Sequence, residues 1–173
     1  MAALLAQRLL LCRQANPEAK ILVLAFSGGA GIALFACEKL QGRSLIETMV
    51  LACPAVSPQY NLAPALSAVQ RCYALISRRD RVILGLGTRV FGTTDRQFTA
   101  AAGHVGFRRP ANLPRREAKL YSRVREINWT PELKELGHHG GHTAWLSHRF
   151  LDKHLLPMLH GEPLLPTTEV PRV

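Results

Sequence analysis

Short apolar runs alternate along the chain with longer stretches in which apolar residues recur at helical spacing. The continuous runs predict strands buried in a parallel sheet, at 20–26, 46–52 and 72–77, with a weaker candidate at 124–129. The helical spacing predicts helices at 2–15 and 143–156. A stretch that is apolar nearly all round predicts a buried helix at 30–40, and a proline near a first turn predicts one at 64–70. Strands that alternate with helices indicate an α/β fold in which a parallel sheet is flanked by helices.

Two segments lie outside this alternation. The stretch 83–118 predicts one helix after the third strand and then a long irregular excursion rich in glycine and arginine. The proline-rich stretch 161–173 predicts a disordered tail, which leaves one domain at 1–160. The charge-free stretch 21–37 has the minimum length of a membrane helix, but serine and glycines in its middle favour a strand, a turn and a helix. We therefore expect no membrane span.

Composition adds the question of partners. The chain has 173 residues, of which 47% are hydrophobic, so we expect one domain with a buried core. Its formal charge of +10 makes nucleic acid or an acidic surface a first expectation for its partner. The basic stretch 108–125 lacks an aromatic stacking ladder, which favours a solvated loop and no nucleic-acid partner. The 4 cysteines show no C-x-x-C spacing, so reduced thiols in the cytoplasm are expected.

The turn after the first strand carries the first candidate chemistry. Ser27 stands between a buried strand and a buried helix, in the sequence Ala25-Phe26-Ser27-Gly28-Gly29. Small residues two before and two after a serine allow the sharp turn of a nucleophile elbow, with the backbone N–H of Gly28 as an oxyanion donor. Two other interpretations stay open, namely a glycine-rich turn that binds a dinucleotide, and close packing of strand on helix with no chemistry.

An acid and a histidine follow later strands. Asp80 comes directly after the third strand, as the acid that orients a histidine, as a helix cap, or as one side of a solvated salt bridge with Arg79 or Arg81. Asp95 is the weaker candidate for the acid. The sequence GHHGGH at 137–142 offers His142 as general base, with His139 as second choice. Three histidines so close together also suggest zinc, but the intervening glycines and the lack of a fourth ligand favour no metal and no cofactor. The remaining histidines, at 104, 148, 154 and 160, are expected at the surface.

The order Ser27, Asp80, His142 is the nucleophile-acid-histidine order of one hydrolase class. With these residues in place the chain resembles the α/β-hydrolase family, and most closely bacterial α/β-hydrolase-like proteins. KILVLAFSGGAGIAL resembles the family's fifth strand and nucleophile elbow, CYALISRRDRV its seventh strand with the acid, and GGHTAWL its histidine loop. The resemblance implies a cofactor-free serine hydrolase that acts on a small-molecule ester or related acyl substrate through an acyl-enzyme.

Some features depart from that family. Alanine replaces the usual first glycine of the elbow, and the family's first strands, including the loop with the second oxyanion donor, have no counterpart before residue 20. The expectation is thus a truncated fold in which the strand at 20–26 is an exposed apolar edge that invites self-association. The alternative function is an inactive hydrolase-like scaffold or fragment that binds a partner. The sequence leaves the substrate open.

Overall fold

The centre of the structure is a four-stranded parallel sheet. The computed structural model of the chain describes residues 1–40 and 42–172. The strands lie in the order β1-β2-β3-β4, and all neighbouring pairs are parallel. Their bounds are Leu22–Phe26 for β1, Ile46–Ala52 for β2, Val69–Ile76 for β3 and Val124–Asn128 for β4. The predicted α/β fold with a parallel sheet and flanking helices is confirmed.

Each face of the sheet packs against its own layer of helices. Side chains alternate between the two faces of a strand, so Met49 and Leu51 of β2 join one buried cluster, while Val50 and Ala52 join the other. The first cluster contains residues of the helices at the start of the chain, and the second contains residues of the helices at its end. This two-sided burial explains why the strands read as continuous apolar runs.

The helices follow the predicted alternation in the first half of the chain. The α-helices are α1 Ala2–Ala15, α2 Gly28–Glu38, α3 Ala63–Leu66, α4 Thr88–Phe91, α5 Ala102–Val105, α6 Arg115–Leu120, α7 His148–Phe150 and α8 Leu156–Leu159. Wider π-helical turns at Arg81–Gly87 lead into α4, and others at Leu151–Leu155 join α7 to α8. Shorter 3-10 turns occupy Tyr121–Arg123, Pro131–Leu136 and His142–Leu146.

Two predicted helices were wrong in extent. The helix predicted at 64–70 ends at Leu66, because Val69 already pairs with Ile46 of β2 and so belongs to the sheet. The helix predicted at 143–156 is broken at Ser147, whose backbone is extended with ψ 140°. Residues 142–146 form a separate 3-10 turn, which buries Trp145 under the end of the sheet.

The C-terminal segment lies along one edge of the sheet. In the described part of the predicted tail, Thr168 and Glu126 of β4 exchange two backbone hydrogen bonds of 2.8 Å. The disorder expected for 161–173 stays a prediction. Val173 lies outside the described residues. Strand β1 is the opposite edge of the sheet, and Leu24 at its middle is 41% exposed.

The charge-free stretch at 21–37 is divided as predicted between β1 and α2. Between residues 1 and 172, with Gln41 set aside, no helix has both the length and the apolar composition to cross a bilayer.

Candidate active site

Candidate catalytic residues gather at the carboxyl edge of the sheet. Ser27 follows β1 and Asp80 lies four residues after the end of β3, so the parallel strand direction places both at the same edge. His142 comes from the loop after β4 and reaches back across the sheet to both of them. All three residues singled out from the sequence therefore meet in one place.

The backbone at Ser27 is strained in the way a sharp strand-to-helix turn requires. Its φ of 52° and ψ of −122° lie in a region that residues other than glycine rarely occupy. The turn is held by neighbours on both sides. The Ser27 N–H donates to Ala52 O at 2.8 Å, and the Ser27 carbonyl accepts from Ala30 N at 3.0 Å and Ala55 N at 3.2 Å. The surrounding hydrogen bonds thus fix the direction of the hydroxyl group.

His142 links the serine to the aspartate. Its Nε2 lies 2.9 Å from Ser27 Oγ, and its Nδ1 lies 2.5 Å from Asp80 Oδ2. An ionised carboxylate only accepts hydrogen bonds, so Nδ1 carries the proton and Nε2 presents a lone pair to the serine hydroxyl. The arrangement is that of a serine whose proton a histidine can remove.

Asp80 has a second hydrogen bond, which fixes its position. Oδ1 accepts from the Leu84 N–H at 3.4 Å, so the side chain caps the helical turns that begin at Arg81. The Asp80 side chain is 3% exposed and that of His142 is 10% exposed. Two of the three roles weighed from the sequence, the helix cap and the partner of histidine, are therefore present in one carboxylate, whereas the salt bridges within the described residues include none between Asp80 and Arg79 or Arg81.

The loop that carries His142 is anchored to the end of β3. Ser77 Oγ donates to Gly140 O at 2.7 Å, and the Gly140 N–H donates to His138 Nδ1 at 3.0 Å. Gly140 has a φ of 86°, and a Cβ on it would lie 2.9 Å from the Cβ of Arg79, so glycine is required there. Trp129 Nε1 donates to His138 O at 2.9 Å and closes the loop. Sequence reasoning missed these anchors, although the glycines in GHHGGH signal a tight turn.

His138 is a buried structural residue. Its ring packs edge-on against Trp145, with centroids 4.2 Å apart. Burial lowers the pKa of His138 to about 4, so its ring is neutral near pH 7. The second-choice base, His139, is exposed and outside the hydrogen-bonded group.

Cys53 lies beside the aspartate and histidine and was not singled out as a site residue. It follows β2 with a φ of 49°, is fully buried, and its Sγ lies 3.4 Å from His142 O. Its donor atom and those of Asp80 and His142 lie within 4.8 Å of one another, and they form the one metal-ligand group found within the described residues. Burial, followed by the charge of Asp80, raises the pKa of Cys53, so the thiol keeps its proton. A protonated thiol is a poor metal ligand.

The glycines around the turn differ in what they contact. Among the described hydrogen bonds, the Gly28 N–H at the start of α2 has no acceptor, which leaves it open to an incoming oxyanion. A Cβ on Gly29 would meet nothing within 4 Å, so the turn does not require a small residue at this position. The close approach occurs at Gly31, where a Cβ would lie 2.5 Å from Thr94 Cγ2.

The other acids and histidines lie outside this group. Asp95 holds a loop together, since its Oδ1 accepts from the Ser57 N–H at 2.8 Å and its Oδ2 from Ser57 Oγ at 2.5 Å. Asp152 is exposed. His154, expected at the surface, is instead 6% exposed because its ring packs near Phe150.

The basic stretch borders a different part of the surface. A cavity of about 620 Å³ is lined by the cationic side chains of Arg109, Arg115, Lys119 and Arg172, and neither Ser27, Asp80 nor His142 lines it. Two alanines complete its lining, and no aromatic ring is among them. The prediction of a solvated loop stays a prediction.

Comparison with known proteins gives no relative, since no protein-family model, no curated protein and no solved structure matches the chain.

Proposed function

We propose that the chain is a serine hydrolase of the α/β-hydrolase type that cleaves an ester or related acyl bond. The observation that carries the proposal is the continuous hydrogen-bonded chain from Asp80 through His142 to Ser27. Its geometry fits proton transfer, because the lone pair of His142 Nε2 faces the serine hydroxyl at 2.9 Å. The strained backbone of Ser27 adds support, since strain of this kind concentrates at functional sites.

The reaction follows from these positions. As Ser27 Oγ attacks the acyl carbonyl carbon, His142 Nε2 takes the hydroxyl proton and the carbonyl oxygen becomes an oxyanion. The oxyanion accepts a hydrogen bond from the Gly28 N–H. When the carbon–oxygen bond to the alcohol breaks, the proton passes from His142 to the departing alcohol and an acyl-enzyme remains on Ser27.

Water then hydrolyses the acyl-enzyme by the same steps in reverse. His142 removes a proton from water as the hydroxyl oxygen attacks the acyl carbon, and returns that proton to Ser27 Oγ as the carboxylic acid leaves. Asp80 keeps the proton of His142 on Nδ1 and stabilises the imidazolium that forms in both halves of the reaction. No cofactor is needed for these steps.

The substrate of this proposal is a small acyl compound, and nucleic acid is not expected to bind. We place the protein in a reducing cytoplasm, since all four cysteines are free and three of them are buried. Self-association through β1 belongs to the same proposal, because this edge strand offers unpaired backbone groups to a second copy.

The test is covalent labelling with a fluorophosphonate probe, followed by mass spectrometry of the labelled peptide. We expect labelling at Ser27, its loss in Ser27→Ala, and full retention in Ser44→Ala, which removes an exposed serine elsewhere. Hydrolysis of p-nitrophenyl acetate should follow the same pattern. Folded protein, judged by circular dichroism, that neither labels nor hydrolyses the ester would overturn the proposal.

A second candidate function is an inactive scaffold of the same shape that binds a partner. Two observations favour it. Among the described residues, the Gly28 N–H is the one oxyanion donor identified, and loss of one such donor costs roughly 10²–10³ in rate where two act together. In addition, the cavity of about 680 Å³ bordered by Asp95 and Phe98 is not lined by Ser27, Asp80 or His142. The scaffold predicts folded protein with no probe reaction at Ser27.

A further inference from the structure

The helical segment 81–91 carries apolar side chains on its outward face as well as on its inward face. Its inward face is buried through Leu84, Gly85 and Thr88. Six exposed apolar side chains lie on its outward face and on the loop after it: Val82, Ile83, Leu86, Val90, Phe91 and Phe98. The outer face of a surface helix is normally polar, so this pattern demands a partner.

These side chains project from the surface. Phe91 is 87% exposed, Val82 is 78% exposed and Phe98 is 73% exposed. Phe98 lies next to the end of the helix, since a Cβ on Gly92 would be 3.8 Å from its ring. A soft medium can close around projecting apolar side chains, so it buries them more readily than a rigid protein surface does.

Positive charge surrounds the apolar side chains. Arg81, Arg89 and Arg96 are exposed, and none of them forms a salt bridge within the described residues. The two acids of this stretch are engaged elsewhere, Asp80 with His142 and Asp95 with Ser57. A second copy of the chain would bring the same arginines to the contact, and the two copies would repel each other.

We propose that this surface, named the 82–98 face, docks on an anionic lipid surface. The six apolar side chains enter the boundary between headgroups and acyl chains, while Arg81, Arg89 and Arg96 bind the lipid phosphates. Since the helix begins at the residue after Asp80, docking brings the lipid close to the carboxyl edge of the sheet. The proposal does not depend on hydrolase activity.

The test is co-sedimentation of the full chain with vesicles. We expect binding to vesicles of mixed phosphatidylcholine and phosphatidylserine that weakens with added salt, and much weaker binding to pure phosphatidylcholine. Leu86→Ser combined with Phe91→Ser should weaken binding about tenfold or more. Leu164→Ser is the matched control, because Leu164 and Leu86 are both 63% exposed, and it should bind as the unaltered chain does. Ser27→Ala should also bind fully.

Other outcomes overturn the proposal. If the chain does not bind the mixed vesicles, the lipid-docking proposal is wrong. If it binds both kinds of vesicle equally, the arginines do not recognise anionic lipid. Dimerisation in solution that the Leu86→Ser and Phe91→Ser pair abolishes, measured by light scattering, would assign the 82–98 face to a second copy instead. Circular dichroism of each variant establishes that the loss of binding is not a loss of folding.

Discussion

Asp80 accepts a hydrogen bond from the Leu84 N–H through Oδ1, the carboxylate oxygen that does not face His142. One side chain therefore both caps a helix and orients the histidine. The two roles can be separated, because asparagine caps a helix nearly as well as aspartate but lacks the charge.

Asp80→Asn should keep the fold and lose activity. The amide retains an oxygen for the Leu84 N–H, but it cannot hold the proton of His142 on Nδ1, so ester hydrolysis should fall roughly 10²–10⁴-fold. Asp80→Ala should lose activity and also about 1 kcal/mol of unfolding free energy, because the cap is gone. Urea denaturation and p-nitrophenyl acetate hydrolysis measure the two effects. Equal stability losses in both variants would contradict the division of roles.

Much of this arrangement follows from the sequence. Apolar runs fix the strands, and parallel strands bring their carboxyl ends to one edge, so residues after β1 and β3 are expected to lie on the same side. The positions of Ser27 and Asp80 follow directly from the strand direction. The position of His142 follows from the last loop, where glycine spacing indicates a turn.

Contacts between segments that are far apart in the sequence could not be predicted in this way. Thr94 packs against Gly31 across 63 residues of sequence, and Ser77 holds Gly140 with nothing periodic to indicate the pairing. The apolar residues from 142 onward are compatible both with one long helix and with a separate 3-10 turn at 142–146. Only the extended backbone of Ser147 separates the two, and a serine alone does not specify it.

Two glycines of α2 should respond differently to the same substitution. Gly31→Ala places a Cβ 2.5 Å from Thr94 Cγ2 and 2.6 Å from Thr94 Cβ, so the helix or the loop must shift, at a cost of about 1–3 kcal/mol. Gly29→Ala has open space and should stabilise the helix by about 0.5–1 kcal/mol. Thermal and urea denaturation compare them. A Gly31→Ala protein as stable as Gly29→Ala would show that Thr94 does not pack there.

Thiol labelling should distinguish one cysteine from the other three. Cys12 is exposed, while Cys37, Cys53 and Cys72 are buried. Burial raises the pKa of Cys37 to about 12 and raises the pKa of Cys53 and of Cys72 still further, so no thiolate is available at these sites near pH 8. Iodoacetamide should modify Cys12 alone in the native protein and all four cysteines in denaturant. Native labelling of Cys53 would place it in an open site.

Glu126 should make the protein less stable as pH rises. Burial raises its pKa from 4.5 to about 7, partly offset by the Phe107 N–H, which donates to Oε1. Between these two values the folded state holds a proton that the unfolded state has released, so unfolding free energy falls with increasing pH. Glu126→Gln keeps the acceptor and removes the titration. It should gain about 2–3 kcal/mol over the unaltered chain at about pH 8 and much less at about pH 4.5.

His138 should have the opposite effect over an overlapping range. Burial lowers its pKa from 6.5 to about 4, so between these values the unfolded state holds the proton and acid destabilises the fold. The effects of Glu126 and His138 on the unfolding free energy therefore oppose each other between pH 4.5 and 6.5. Substituting one of the two residues should reveal the pH dependence that the other one causes. Urea midpoints of Glu126→Gln should fall steeply on acidification, whereas those of His138→Gln should rise.

The control for the histidine is its exposed neighbour. His139→Gln removes an imidazole one residue away without touching the bond between Gly140 N and His138 Nδ1. Burial, the main cause of the low His138 pKa, stays in place and only the smaller contribution of the His139 charge is lost, so the pH dependence should stay close to that of the unaltered chain. His138→Gln should also lower ester hydrolysis, because the Gly140 anchor holds the loop that positions His142. Equal pH profiles for the two variants would mean that folding does not lower the pKa of His138.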